Sequence, residues 1–503
     1  MRRMGALAAL LLLNWALPRP AAAITSTDTL VLCDDATDPL TLDPHRILDN
    51  KLDDILFQIF EGLYRLGPGG VLEPALATGC RWTDPLALRC DLRRGVVFHN
   101  GDAFDAQAVK WSILRALDPK TGFPAANEFD SIDSIETPDD HTVEIRTKRP
   151  DGLLLRRLAG YIKIASPKYF FESGPERFAA FPIGTGPFRF VRWDRGRALS
   201  LAANRDYWDK GRPRIRNVIF RFVPEKDQIP LLLSGELDAI TAVPPMKALD
   251  IAADSRTKIV KQSVFATPAF WITSFTGPLK DRRVRQALNM AVDKDLLIRY
   301  ASRGNGRALA TLSMPGEPGH NESLRPYRYS EKDARNLLAE AGYSQGFSLS
   351  VLSSPQAERE ARIISADWEK IGIKTKLTIL PLSGIGAALA APKPSGFAYD
   401  VVANLAPDLL SHAFFLAGLC FHSASPFSRL NDPGFDALYA EVSSEIETTA
   451  QTASAQRLDA LVYREAWGIF TYQKTQIDAM NAKLDIPLPQ SGVMDLRDAA
   501  WRR

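Results

Sequence analysis

The segment Phe181-Pro-Ile-Gly-Thr-Gly-Pro-Phe-Arg-Phe-Val-Arg-Trp193 constrains this chain most, because two further blocks continue it in a fixed order. Downstream come Asn204-Arg-Asp-Tyr-Trp-Asp-Lys-Gly-Arg-Pro213 and then Val218-Ile-Phe-Arg-Phe222. This reads as a Gly-Thr-Gly-Pro turn feeding a strand, a basic connection, an Asn-x-Asp-Tyr-Trp corner and a further strand. A dinucleotide loop is the rival reading of Gly184-Thr-Gly186. It fails because position 189 is Arg and the segment runs on into a strand instead of opening a helix.

The amino terminus is built like a secretory leader. Arg2 and Arg3 precede an apolar run from Ala6 to Leu13, and Ala21-Ala22-Ala23 offers a small-x-small cleavage site before Ile24. The run is far short of the roughly 20 residues that span a bilayer, and no Cys stands where a lipid anchor would need one. Cleavage would remove Arg2, Arg3 and Arg19 and no acid. The 62 Lys and Arg would then fall by three, to match the 59 Asp and Glu. A mature charge of zero gives no nucleic-acid footprint and no basic membrane face. With 46% hydrophobic residues and no repeat, the remainder reads as two or three globular domains.

Four cysteines, Cys33, Cys80, Cys90 and Cys420, fit an oxidising compartment. Thr83-Asp84-Pro85 is a turn signal between two strand-like runs, and a hairpin there would set Cys80 opposite Cys90, within disulfide reach. Two buried thiols are the plainer alternative. Metal binding is disfavoured, since neither CxxC nor a nearby His pair exists. Cys33 and Cys420 would be the leftover pair.

Strand and helix patterns alternate along the chain. Thr29–Leu32 reads as a strand and Lys51–Leu66 as largely helical. Asp105 is a helix cap ahead of an apolar stripe of Ala108, Val109, Ile113, Leu114 and Leu117. Thr142–Arg146 alternates like a half-buried strand. Val284, Ala287, Leu288, Ala291 and Val292 follow the spacing of an amphipathic helix. Ser330-Glu-Lys-Asp333 opens another helix, which Gly342 closes. Ile363, Ile364, Trp368 and Ile371 form a helical face before the strand Ile373–Ile379. Gly342-Tyr-Ser-Gln-Gly346 matches a hydrolase nucleophile elbow, but a helix enters it and a strand leaves, the reverse of the required order. The histidines at 45, 99, 141, 320, 412 and 422 are scattered and read as surface or satisfied residues.

Several blocks together resemble one family. They are the Gly184 and Asn204 segments, Leu42-Asp-Pro44, Val71-Leu-Glu-Pro-Ala-Leu-Ala77 with Trp82, Leu92-Arg-Arg-Gly-Val-Val-Phe98 and Pro278-Leu-Lys-Asp-Arg-Arg-Val-Arg-Gln-Ala-Leu288. The chain is similar, through about Tyr439, to the bacterial extracellular solute-binding proteins of family 5. These are the oligopeptide-, dipeptide- and nickel-type receptors of ABC importers. It departs from their usual sequence at Asn100, where Asp is common.

The resemblance implies an α/β, type-II periplasmic binding-protein-like fold of two hinged lobes, with an extra subdomain inserted in lobe one. The expected division is a leader over 1–23, lobe one over 24–50 and 184–267, the insertion over 51–183, lobe two over 268–479 and a return to lobe one over 480–503. The hinge is expected near Gly184–Pro187 and Thr267–Thr273. It also implies a monomeric periplasmic receptor with no cofactor, metal or catalysis. Such a receptor would pass a peptide-sized solute to an ABC permease in the inner membrane. A metal chelate, sugar or opine is the alternative cargo, and a secreted hydrolase is a more distant one.

In peptide-binding members an acidic residue after the lobe-two sheet holds the ligand's amino terminus. Asp408 is the candidate here, although the usual Asp-Pro-Asp is missing, and an N-cap is its plainer role. Arg359 or Arg362 would meet a ligand carboxylate. Trp271 and Thr273 lie on the expected crossing strand, with Thr273 where the family commonly has Asn.

Overall fold

The computed structural model describes residues 28–34, 37–389 and 398–502. The expected leader over 1–23 lies outside the described residues. Five strands position the site: β1 (Thr29–Cys33), β2 (Ala266–Ile272), β3 (Phe347–Ser353), β4 (Val401–Pro407) and β5 (Tyr472–Asn481). Three helices do so as well: α1 (Asn50–Ile59), α2 (Leu154–Tyr161) and α3 (Glu358–Lys370).

Two sheets organise the chain. The first has eight strands in the order Thr257–Ser263, β5, Ala239–Ile240, β1, Asn217–Arg221, Ala198–Ala203 and Phe188–Asp194, with Gly306–Ala308 paired to β5 off that path. The second has five, in the order Ile373–Ile379, β3, β4, β2 and Gly468–Ile469. β1 runs parallel to both of its neighbours, and β3 parallel to both of its own. These mixed sheets with covering helices are the expected α/β architecture. Each lobe has its own buried core, built on Leu30, Leu32, Ile59 and Phe188 in one and Phe270, Ile272, Val284 and Trp368 in the other. No helix among the described residues is long and apolar enough to cross a membrane.

A separate antiparallel sheet forms the inserted subdomain, in the order Ala77–Asp84, Ala87–Leu92, Thr142–Thr147 and Ile132–Asp139. Cys80 stands directly opposite Cys90 in the register and the two are disulfide-bonded, as the hairpin reading expected. Cys33 and Cys420 do not form a second bridge. Cys33 is buried in lobe one, where its thiol donates to the Val223 carbonyl, and Cys420 lies in the cluster that joins the subdomain to lobe two.

Several element readings shift. The helix expected over 51–66 stops at Ile59, because Phe60 turns extended and Tyr64–Leu66 is needed as a strand against Leu72–Pro74. In the helix Ala106–Leu117, Ala108, Val109 and Ile113 are buried while Leu114 points to solvent. The boundaries move too: α1 packs into the lobe-one core, and the return to the first sheet starts at Tyr472, not at 480.

The hinge lies elsewhere as well. The chain crosses between sheets at Val264-Phe265, just before β2, and at Phe470-Thr471, just before β5. The Val264 amide donates to the Lys474 carbonyl and the Thr471 hydroxyl to the Pro268 carbonyl, so the crossings run side by side. Gly184–Pro187 is not a crossing. It is pressed against the end of α1, where a Cβ on Gly184 would lie 2.1 Å from the Ile59 carbonyl oxygen.

The contact is sealed by one carboxylate. Glu61, buried, accepts from the Thr185 hydroxyl at 2.9 Å, the Tyr207 hydroxyl at 2.8 Å and the Trp208 indole N–H at 3.1 Å. Asn204 donates to the Gly186 carbonyl at 3.0 Å. The two halves of the opening sequence signature thus meet at a single acid. Burial raises the carboxyl of Glu61 while the three donors oppose that rise.

Two sets of substitutions test these contacts. Glu61→Ala leaves three donors without their acceptor and should cost roughly 3 kcal/mol or more in denaturant melts, whereas Arg362→Ala on an exposed helix face should stay within about 0.5 kcal/mol. Replacing Cys80 and Cys90 by Ala opens a short loop and should cost about 2–3 kcal/mol, with reduction of the natural protein reproducing the loss.

Candidate functional site

Ligands of open α/β sheets collect outside the carboxyl ends of the strands, where helix amino termini also point. In lobe one that edge carries Asp34, after β1, and Lys51, at the start of α1, paired at 2.9 Å. In lobe two it carries Ser353 and Ser354, after β3, Arg359 and Glu360, at the start of α3, and Asp408, after β4. β5 forms the floor between them. The Tyr472 hydroxyl donates to Glu360 at 2.6 Å on the lobe-two side, and Gln476 donates to Asp478 at 3.0 Å on the lobe-one side.

A cavity of about 340 Å³ opens beside this floor. Asp53 and Phe57 of α1, Arg65 and Tyr161 of the subdomain, Arg497, and Leu409 of lobe two contribute to its walls. Its wall of Leu488, Pro489, Val493 and Met494 is shared with a crevice that holds Asp34, Thr241, Gln476 and Asp478. The volume falls within the range that holds small solutes. All three bodies of the fold therefore contribute to one interior space.

Each edge also buries a pair of carboxyls beside a cation. On lobe one, burial and the charge of Asp34 push Asp54 well up, while Lys51, Thr241 and Asp54 overcome burial to hold Asp34 below its ordinary value. The two carboxyls are therefore driven in opposite directions, Asp54 up and Asp34 down. On lobe two, burial and Asp408 push Glu317 well up, and burial raises Asp408 to about 6. Glu317 accepts from the Met314 amide at 2.6 Å and feels the charge of Asp408. Arg156 of α2 brings a positive charge to the pair, and burial lowers it to about 10. Its guanidinium donates to the carbonyls of Gly70 at 2.7 Å and Leu410 at 3.0 Å. The subdomain and lobe two meet at this point.

The sequence candidates separate on this frame. Asp408 is buried, accepts from the Leu410 amide at 2.8 Å and the His412 amide at 3.0 Å, and stands directly behind the cavity wall at Leu409. Arg359 is exposed and makes no hydrogen bond or ion pair among the described residues; its charge is felt by Tyr472. Arg362 is exposed and paired with Glu358 at 2.6 Å. Trp271 and Thr273 are buried and donate within lobe two, to the carbonyls of Phe427 at 3.0 Å and Tyr399 at 2.9 Å. Because β2 and β4 are antiparallel, with Ile272 opposite Val401 and Ala266 opposite Pro407, Thr273 lies a strand length, about 20 Å, from Asp408. The structure does not bring them together.

Ser344 occupies the turn from the helix Glu331–Glu340 into β3, as the reversed motif implied. Buried His45 and His99 bond backbone carbonyls, of Lys163 and Gly186 respectively. Sequence reading missed Asp34, Lys51, Arg156 and Glu317. None sits in a motif, and their partners are up to hundreds of residues away.

The comparisons agree with this architecture. A family model described as bacterial extracellular solute-binding proteins, family 5, matches residues 71–416. Heme-binding protein A of Haemophilus influenzae is 30% identical over 387 residues, which is 70% of each chain. A probable di/tripeptide-binding protein 5 of Pseudomonas aeruginosa is 28% identical over 484 residues, covering 88% of this chain and 89% of that one. A structure of the periplasmic binding protein DppA from Helicobacter pylori with the peptide STSA superposes with a TM-score of 0.78 at 21% identity, covering 94% of this chain and 98% of that one.

The carboxyl pair on lobe two sets a pH test. Asp408 titrates at about 6 in the fold against an ordinary 3.8, so the stability tied to it is present below about 4 and lost as pH rises through about 6. Acidifying from pH 7 to 5 should stabilise the natural protein by about 1 kcal/mol relative to Asp408→Asn. Buried His45 and His412, both held low by desolvation, pull the other way in both proteins, so the difference between the two melting curves is the readout.

Proposed function

The chain belongs to the bacterial extracellular solute-binding proteins of family 5, and from that premise we propose that it is the periplasmic receptor of an ABC importer, taking a short peptide between its lobes without chemical change. The observation that carries this reading is a solute-sized cavity walled by α1 of lobe one, the subdomain and Leu409 of lobe two, in a chain whose two sheets are joined by paired crossings. Peptide recognition in such a space rests on charged termini and main-chain hydrogen bonds, so side chains are read loosely. Of the candidate contacts, Asp408 is one residue from Leu409 in the cavity wall, which favours it over exposed Arg359. A heme-binding name among its relatives makes a non-peptide cargo the reading to be tested against.

Native mass spectrometry of protein recovered from its own host should release a ligand whose fragments are amino acids. Small-angle scattering should show a larger radius after ligand is stripped and a smaller one on its return, because uptake requires an open cleft that closes. A non-peptide mass would overturn the cargo. An unchanged radius would overturn the closure.

A further inference from the structure

We propose that the ammonium of Lys474, on the floor between the lobes, is the docking point for an anionic group of the solute, a carboxylate in the peptide reading on which this inference rests. Lys474 is the third residue of β5, opposite Gly306 of one neighbouring strand and next to Thr475, which pairs with Ser263 of the other. Alternation along the strand puts it on the face of Tyr472 and Gln476, so it stands between the lobe-two contact at Glu360 and the lobe-one contact at Asp478. The charges that act on it come from both lobes: Lys51 and Asp478 from one, Glu360 from the other.

Those charges are committed elsewhere. Lys51 is paired with Asp34, Glu360 accepts from Tyr472, and Asp478 accepts from Gln476 and from the Ala242 amide at 2.9 Å. Lys474 itself makes no side-chain hydrogen bond or ion pair among the described residues. It is half-buried, and its nitrogen is not among the polar atoms sealed from solvent. A desolvated cation without a partner costs free energy, and burial and Lys51 lower its proton affinity accordingly. Groups kept in that state beside a cleft are candidates for ligand contact. Glu360 and Asp478 act on the ammonium only through space, since neither forms a hydrogen bond or ion pair with it among the described residues. An entering anion would give Lys474 the direct partner that neither carboxylate provides, and Arg359, whose charge reaches Tyr472, adds a second cation on the lobe-two side.

The test uses Lys474→Gln and calorimetry with three probes: trialanine, trialanine amide and glutarate, a dicarboxylate with no peptide bond. The natural protein should prefer trialanine to its amide, and Lys474→Gln should lose about 30-fold in affinity for trialanine while leaving the amide nearly unchanged. The empty variant should melt at or above the temperature of the natural protein, since an unpaired charge has gone; a merely structural lysine would lower it. Equal binding of acid and amide, or a preference that survives the substitution, would overturn the docking point. Binding of glutarate alone, lost in Lys474→Gln, would keep the docking point and overturn the peptide reading. Failure of all three probes would overturn the docking point.

Discussion

The carboxylate of Glu61 fixes the frame on which the rest of the molecule is hung. It ends α1, begins the subdomain, and gathers donors from Thr185, Tyr207 and Trp208. A buried acid with three donors tolerates little displacement, because each lost bond leaves a polar group dry. The close approach of Gly184 and Gly186 to the end of α1 adds a second constraint, one that no side chain would permit. These contacts join the subdomain to lobe one, while the chain passes between the two sheets at Val264-Phe265 and Phe470-Thr471.

Charge is distributed around those crossings in a repeated arrangement. Asp34, Asp54 and Lys51 on lobe one match Asp408, Glu317 and Arg156 at lobe two, each a buried carboxyl pair with a cation beside it. In each pair burial and the neighbouring carboxyl push one member well up. The second cluster also spans two bodies, since Arg156 comes from α2 and bonds the carbonyls of Gly70 and Leu410. A continuous apolar cluster surrounds it, running from Phe129 and Tyr161 to Leu410 and Phe414. Between the two clusters lies the floor of β5, where Lys474 makes no side-chain hydrogen bond or ion pair among the described residues.

Much of the fold was legible in residue order. Capping placed the helices that start at Asp105 and Ser330, whose side chains accept the amide bonds the pattern implied, and period placed the helix carrying Val284. The hairpin at Asp84 gave the disulfide, because a turn of known length fixes which residues face each other. The helix beyond Ile59 was misread because an apolar run is equally compatible with helix and strand, and only the pairing with Leu72–Pro74 decides.

Local chemistry thus settled, from sequence alone, the alternation of strands and helices, the caps, the bridge and the resemblance carried by Gly184 to Trp208. It did not settle where the chain crosses between lobes. The Gly184–Pro187 turn, expected at a crossing, instead packs its backbone against the end of α1, where glycine serves because it carries no Cβ. Nor did it settle which polar residues belong to the site. Asp408 acts on Glu317 from 91 positions away; Tyr472 reaches Glu360 across 112; Arg156 reaches Leu410 across 254. The value of each charge depends on the dielectric and the partners around it, and those exist only once the three bodies have packed.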